Sequence, residues 1–424
     1  MIKDNPLRYQ MTNELHARPF PKLQTPSRAA FIAIKPAGDG AGRDKDLDRA
    51  HLTKLLDRYG VPHPQPGATH YSGDIGKYRL KWESHTEFMT YTVFAQGVAE
   101  KPFDGETFGM FPEDWLTEAP GERVTSALIR VEEMADDRTI EEKLMQWFVP
   151  ESLAASRVVD SSAVVASDFR IDSRGHIRLA VFAKPDIGPR RVGRIVQRLA
   201  EIETYKSMSM LGLAQARELT PQINGIEQEV LDLVGGMTGQ VDRPEDTLAA
   251  LLKLAADLEN LMAKSSFRFG ATGAYSALVN QKIEVLREAR IGGRQTLAEF
   301  MQRRFEPAMR TVESAEKRLA NVAGRAIRAG DLLRTRVDVD RSAQNQKLLE
   351  WMDKRADLQL RLQQTVEGLS VVAISYYAVN LALYVFGPVG SGLGLDKSVQ
   401  AAVVTLPVVY LVWLMVRRIR RKVE

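Results

Sequence analysis

The chain has no cysteine among its 424 residues. That absence excludes disulfides, thiolate metal sites and cysteine nucleophiles. The compact signatures of catalysis are missing as well: a glycine-rich phosphate loop with its lysine, a zinc-protease helix and a serine elbow. Gly235-Gly236-Met237-Thr238-Gly239 has the glycines but follows no strand pattern and lacks the lysine, so it reads as a loop. Charge of one sign is hardly in excess. The net charge of +4 is small for this length, and a nucleic-acid partner is not expected. Met1 to Pro6 is polar and lacks the apolar core of a signal peptide. Hydrophobic and charged fractions of 44% and 26% are those of a folded protein rather than a disordered one.

Long apolar runs are present, and they lie at the C-terminal end. Residues 369–389 read LSVVAISYYAVNLALYVFGPV without a charge. About 21 helical residues rise ~30 Å, the thickness of a bilayer core. Residues 399–416, VQAAVVTLPVVYLVWLMV, form a second uncharged run, in which Pro407 is tolerable in a membrane helix. Gly390, Gly392, Gly394, Asp396 and Lys397 make a short turn between them, so the two spans form a hairpin. Arg417, Arg418, Arg420, Arg421 and Lys422 follow the second span, and Lys354, Arg355 and Arg361 precede the first. The positive-inside rule then puts both chain ends in the cytoplasm and the turn outside.

Residues 186–368 carry a helical pattern. Leu248, Leu251, Leu252, Ala255, Leu258 and Leu261 recur at helical spacing. Thr220-Pro221 resembles a helix start, as do Asp242, Arg243 and Pro244, while Gly292-Gly293 reads as a helix interruption or end. Leu348, Trp351, Arg355, Leu358, Leu362, Thr365, Leu369 and Val372 alternate spacings of three and four, a heptad seam that enters the first span without a linker. Such a seam suits either one helix of a monomeric bundle or a coiled-coil stalk on an oligomer axis. Basic residues here, with Glu306 four before Arg310 and Glu313 four before Lys317, read as a solvated helix face.

Residues 1–185 alternate differently. Ala29 to Ile34 is a strand-like run, residues 47–59 an amphipathic helix ended by Gly60, and Tyr78, Leu80 and Trp82 a half-buried strand beside a second at Phe88 to Phe94. Ala127 to Val131 is a third strand, and Asp172-Ser173-Arg174-Gly175 joins Ala163–Ile171 to Ile177–Ala183 as a hairpin. The fold class is therefore α+β: a mixed α/β layer domain over 1–185, a helical bundle and stalk over 186–368, a membrane hairpin over 369–416 and a basic tail over 417–424. Within the first domain, His85 and Glu87 are two apart and would share a strand face, and His16 could join them through the fold. Such residues suit a divalent cation or a hydrogen-bonded structural cluster. No other cofactor is indicated. RFGATGAY, residues 268–275, carries small residues that permit close helix contact.

The strings NELHARPF, WESHTEF, SSFRFGATGAY, RRFEPAMRT, LLRTRVDV and RLQQTVEGLSVVAISYY resemble an uncharacterised bacterial membrane-anchored family, domain of unknown function thirty-four twenty-two. The resemblance covers essentially the whole chain and implies no assigned activity. The architecture is also similar to the two-span magnesium/cobalt channels. Their Gly-Met-Asn signature is absent; Tyr384-Val385-Phe386-Gly387-Pro388 stands at the matching place. The expectation is a non-enzymatic protein anchored in the inner (cytoplasmic) membrane, with lipid and further copies of itself as partners. The alternative is a divalent-cation channel, in which Ser375, Tyr376 and Asn380 face the pore because polar groups avoid lipid.

Overall fold

A computed structural model describes residues 2–14, 20–38, 43–237, 244–392 and 396–423. His16, Thr238, Gly239, Asp242, Arg243 and Gly394 lie outside them. By contact density the chain divides into two units, Met1–Gly330 and Asp331–Glu424.

The first unit opens with α1 (Arg8–Glu14), β1 (Ser27–Lys35), α2 (Lys45–Tyr59), β2 (His70–Ile75), β3 (Tyr78–Ser84) and β4 (Met89–Gln96). A 3-10 turn at Gly105–Met110 leads to α3 (Glu113–Thr117), β5 (Glu122–Glu133), α4 (Asp137–Trp147), β6 (Ala154–Val158), β7 (Ala163–Ser167) and β8 (Ile177–Ala183). Then come α5 (Pro189–Gly236), α6 (Pro244–Glu284), β9 (Ala289–Arg290), α7 (Leu297–Arg304) and α8 (Glu306–Gly392), whose first turns belong to this unit. The second unit takes the rest of α8 and α9 (Lys397–Val423).

The strands form one mixed sheet in the order β2-β3-β4-β1-β5-β8-β7-β6-β9. β5 and β8 are paired in parallel and the other paired strands antiparallel. Period-two alternation makes the sheet a central layer. In β1, Ala29, Phe31 and Ala33 join the core under α5, while Ala30, Ile32 and Ile34 join the opposite core with Leu52, Leu55 and Leu56 of α2. Ile140, Leu144 and Trp147 of α4 close that second face over β7 and β8. Local chemistry sets the helix ends. Asp44 caps α2 by accepting from the Asp46 amide at 2.8 Å, and Gly60, at φ +59°, takes the left-handed cap that a Cβ disfavours. Thr296 and Glu299 form a reciprocal capping box on α7.

Several expectations need correction. β3 is buried on both sides: Lys81 and Glu83 are 5% and 8% exposed and pair at 3.0 Å, because α5, more than a hundred residues away in sequence, covers the face that alternation assigned to water. Thr220 and Pro221 begin no helix. They lie inside α5, where the Thr220 hydroxyl donates to the Ala216 carbonyl at 2.6 Å and Leu219 and Ile223 anchor the surrounding turns in the bundle core. Gly292 and Gly293 end no helix either; they make a left-handed turn after β9, eight residues beyond the end of α6. α8 continues through Gly390 to Gly392, glycines that the sequence pattern assigned to the turn.

α5, α6 and the start of α8 share a core in which Leu219 and Ile223 meet Leu258, Phe269, Leu319 and Val322. The close approach of α5 to α6 falls at Thr272 within RFGATGAY, but the glycine that permits it is Gly212 of α5. Gly270 and Gly273 face open space. A Cβ on Gly212 would lie 2.1 Å from the Thr272 hydroxyl. Gly212→Ala is therefore expected to lower the free energy of unfolding by about 1–3 kcal/mol, and in denaturant titrations its cost should be smaller in a Thr272→Gly background, which removes the opposing side chain, than in the wild type.

His51 supplies a pH-dependent test. Its ring is stacked on Trp115 at 4.1 Å, and its nitrogens meet the Tyr91 hydroxyl at 2.9 Å and the Trp115 carbonyl at 3.0 Å. Burial pushes its pKa below the ordinary 6.5. As the pH falls past about 6.5 the unfolded chain takes up a proton that the folded ring resists, so stability is lost on the acid side. Thermal midpoints should fall between pH 8 and pH 5, and His51→Gln, less stable at pH 8, should show the shallower fall.

Candidate functional site

The site is built around the turn between β3 and β4. His85, Thr86 and Glu87 are not strand residues, so the shared strand face expected for His85 and Glu87 does not exist. The tight reversal points them differently. His85 stacks on Phe88 at 4.4 Å between ring centroids. Glu87 turns inward, 3% exposed, to Arg268 and Tyr275 of α6.

The arrangement follows from helical geometry. Arg268 and Tyr275 are seven residues apart, two turns of one helix, and so lie on one face. Arg268 Nη2 meets Glu87 Oε2 at 2.5 Å, and the Tyr275 hydroxyl donates to Oε1 at 2.8 Å. Arg268 is 1% exposed. Burial, then the hydrogen bond to the Glu87 carboxylate, raises the Tyr275 pKa well above its ordinary value, so the phenol stays a donor. Tyr205 of α5 stacks on Tyr275 at 5.6 Å. From the other side Arg43 binds the turn. Its Nη2 donates to the His85 and Phe88 carbonyls at 2.7 and 2.9 Å and its Nε to the Thr86 carbonyl at 3.1 Å. Asp48, fully buried, is its counter-ion; burial raises the Asp48 pKa and Arg43 opposes the rise.

A small pocket of mixed lining adjoins the turn under α5, with Lys81, Glu83 and His85 beside Phe31, Phe88 and Val196. Chemically the turn is a clamp. Both Glu87 oxygens are held by donors, so a metal ion there would displace Arg268 or lie against its charge. His16 lies outside the described residues. Among those residues no group of three or more His, Asp and Glu side chains comes together for a metal. Sequence reasoning missed Arg268 and Tyr275 as partners of Glu87. Their spacing of seven, which puts a cation and a phenol on one helix face, was the available signal.

In the second unit α8 and α9 are long and apolar enough to cross a membrane, and 6% of each apolar window is buried. The three residues expected to face a pore do not share an environment. Ser375 is buried, with no hydrogen-bond partner for its hydroxyl among the described residues. Tyr376 is exposed, and Asn380 is half-buried. Tyr376 and Asn380, four apart, lie along one face.

Fold and site together define an α+β protein with a three-layer domain, a helical bundle and two helices of membrane-crossing length. Over residues 3–423 the chain matches the family described as Protein of unknown function (DUF3422), and it belongs to that family. Comparison with curated proteins gives no match.

Removing one partner of the clamp takes from the other buried charge its counter-ion, a loss of about 3–5 kcal/mol. Glu87→Gln and Arg268→Met should each lower unfolding stability by that order in denaturant titrations. The double variant should lose much less than the sum, and strict additivity would show that the two charges are not coupled.

Proposed function

We propose that this protein is a non-enzymatic anchor of the inner (cytoplasmic) membrane, crossing it twice with both chain ends in the cytoplasm and self-associating through α8. The observation that carries the reading is uncovered apolar surface. Leu369, Val372, Tyr377, Leu381 and Tyr384 of α8 are between 67% and 84% exposed, and Leu406 of α9 is 76% exposed. Apolar area on this scale is stable only under lipid or another protein surface. The uncharged composition of residues 369–389 favours lipid.

Orientation rests on the arginines and lysine of residues 417–422 against the single Lys397 near the turn. Self-association rests on the stretch before the first span. Every residue from 338 to 366 is exposed, including Leu348, Trp351, Leu358 and Leu362 of the heptad seam. A helix of that length, ~40 Å, rarely stands alone in water with a leucine stripe uncovered.

A reporter fused after Glu424 should be active only in the cytoplasm and one inserted at Gly392 only outside; the reverse pattern refutes the orientation. Detergent-solubilised wild-type protein should have an oligomer's mass. Leu362→Asp buries an unpaired charge on the seam and should shift that mass toward the monomer. A monomeric wild type, or an unchanged oligomer in Leu362→Asp, rejects the seam. The architectural likeness to two-span cation channels supplies the rival outcome, a divalent-cation current across planar bilayers that Asn380→Ala abolishes.

A further inference from the structure

A cleft separate from the Glu87 clamp opens between the start of β5, the β7–β8 hairpin, α5 and α7. It encloses about 480 Å³, within the range of pockets that hold small organic ligands. Its floor is polar and its walls apolar.

The floor is already neutralised. Glu203, 1% exposed, accepts from the Thr125 hydroxyl at 2.9 Å and the Ser207 hydroxyl at 3.0 Å, and pairs with Lys206 at 2.7 Å. Two further cations line the cleft, Arg123 and Arg304. Both are exposed, and neither has a carboxylate partner among the described residues. The cleft therefore carries an excess of two positive charges. A guanidinium presents a planar fork of donors that matches a carboxylate or phosphate.

The walls explain the rest of the ligand. Phe169 and Phe300 stack at 4.5 Å between centroids, and the Lys206 ammonium lies 5.1 Å above the Phe169 ring. Phe169 has φ +51°, a left-handed conformation that a bulky residue rarely adopts and that concentrates at ligand-contacting positions. It is held there by its amide donating to the Ser167 hydroxyl at 3.0 Å, and that hydroxyl is fixed by the Arg178 carbonyl at 2.9 Å. Met210 and Ile171 remain uncovered at the rim, 38% and 71% exposed. Methionine adapts readily to a flat apolar guest.

We propose that this cleft binds a small organic anion with an aromatic or otherwise apolar body, its acidic group held by Arg123 and Arg304 and its body lying against Phe169 and Phe300. The inference is independent of the membrane reading, since every residue in it belongs to the first unit.

The test titrates 1-naphthoate into the full-length protein in detergent by calorimetry, with a protein-free detergent blank. The expected result is saturable one-to-one binding. Arg123→Gln/Arg304→Gln, altered only at exposed positions, should bind about tenfold more weakly, or about 1.4 kcal/mol. The neutral isostere 1-naphthylmethanol should show a loss of similar size on the wild type. The proposal is overturned by no saturable naphthoate binding, by equal binding of wild type and double variant, or by naphthylmethanol binding as tightly as naphthoate, which would mark a merely greasy cleft. Inorganic phosphate competing as strongly as naphthoate would also overturn it, by showing an anion patch indifferent to the aromatic wall.

Discussion

The first unit depends on one buried ion pair, Glu87 with Arg268. Sheet and bundle are built from distant parts of the chain, and these two residues are 181 positions apart. Apolar contact alone allows a helix to rotate or slide against a sheet at modest cost, because dispersion and burial have little direction. A carboxylate with two fixed donors does not allow it. Arg268 and Tyr275 sit two turns apart on α6, so meeting Glu87 sets both the rotation and the axial position of that helix. Desolvating two charges is expensive and the pair itself need not add net stability. Its effect is to make other registers of α6 much worse, because they would leave a carboxylate and a guanidinium buried apart.

The clamp requires a rigid turn, and the second cation provides it. Arg43 spans the carbonyls of His85, Thr86 and Phe88 from the side opposite Arg268. Those donors add to the bond that closes the reversal, from the His85 amide to the Phe88 carbonyl at 2.8 Å. The turn is thus held by Arg43 through its backbone carbonyls and by Arg268 and Tyr275 through the Glu87 carboxylate. His85, which closes the adjoining pocket, is positioned by the backbone that Arg43 holds.

Local physics was legible in the sequence. Short apolar runs gave β1, β4 and β5, alternation with charged residues gave β3, a glycine after an amphipathic run gave the end of α2, and uncharged length gave the two apolar helices. What alternation could not supply was the identity of the covering layer. Lys81 and Glu83 look like a wet strand face until α5 is laid over them. Pro221 looks like a helix start, since only the bundle core around Leu219 and Ile223 shows why the helix continues. Glu87 read as part of a metal pattern with His85 because the sequence reveals spacing, and spacing on a turn differs from spacing on a strand. Its actual partners lay in a string read for its small residues. β6, five residues long, and β9, two residues long, are too short to leave a periodic trace.

The exposed length of α8 contains two different physical problems. Residues 338–366 combine leucines with Asp340, Arg341, Lys354, Arg355, Asp357 and Arg361. A bilayer core rejects those charges, so only water and another amphipathic helix can cover that stretch. Residues 369–389 have no charge, and there a second protein helix would satisfy one face while lipid satisfies all of them. On the proposed membrane reading the change of cover falls between Glu367, the last charge before the apolar run, and Leu369. Gly368 occupies that boundary, and α8 shows no break in its helical assignment there. A helix that crosses from water to lipid without unwinding keeps its backbone hydrogen bonds satisfied in both media, which a flexible linker entering the bilayer could not do. The seam residues Leu362 and Leu369, seven apart, therefore stay on one face of α8, and in the proposed self-associating anchor a helix that paired with the first would be aligned to continue with the second.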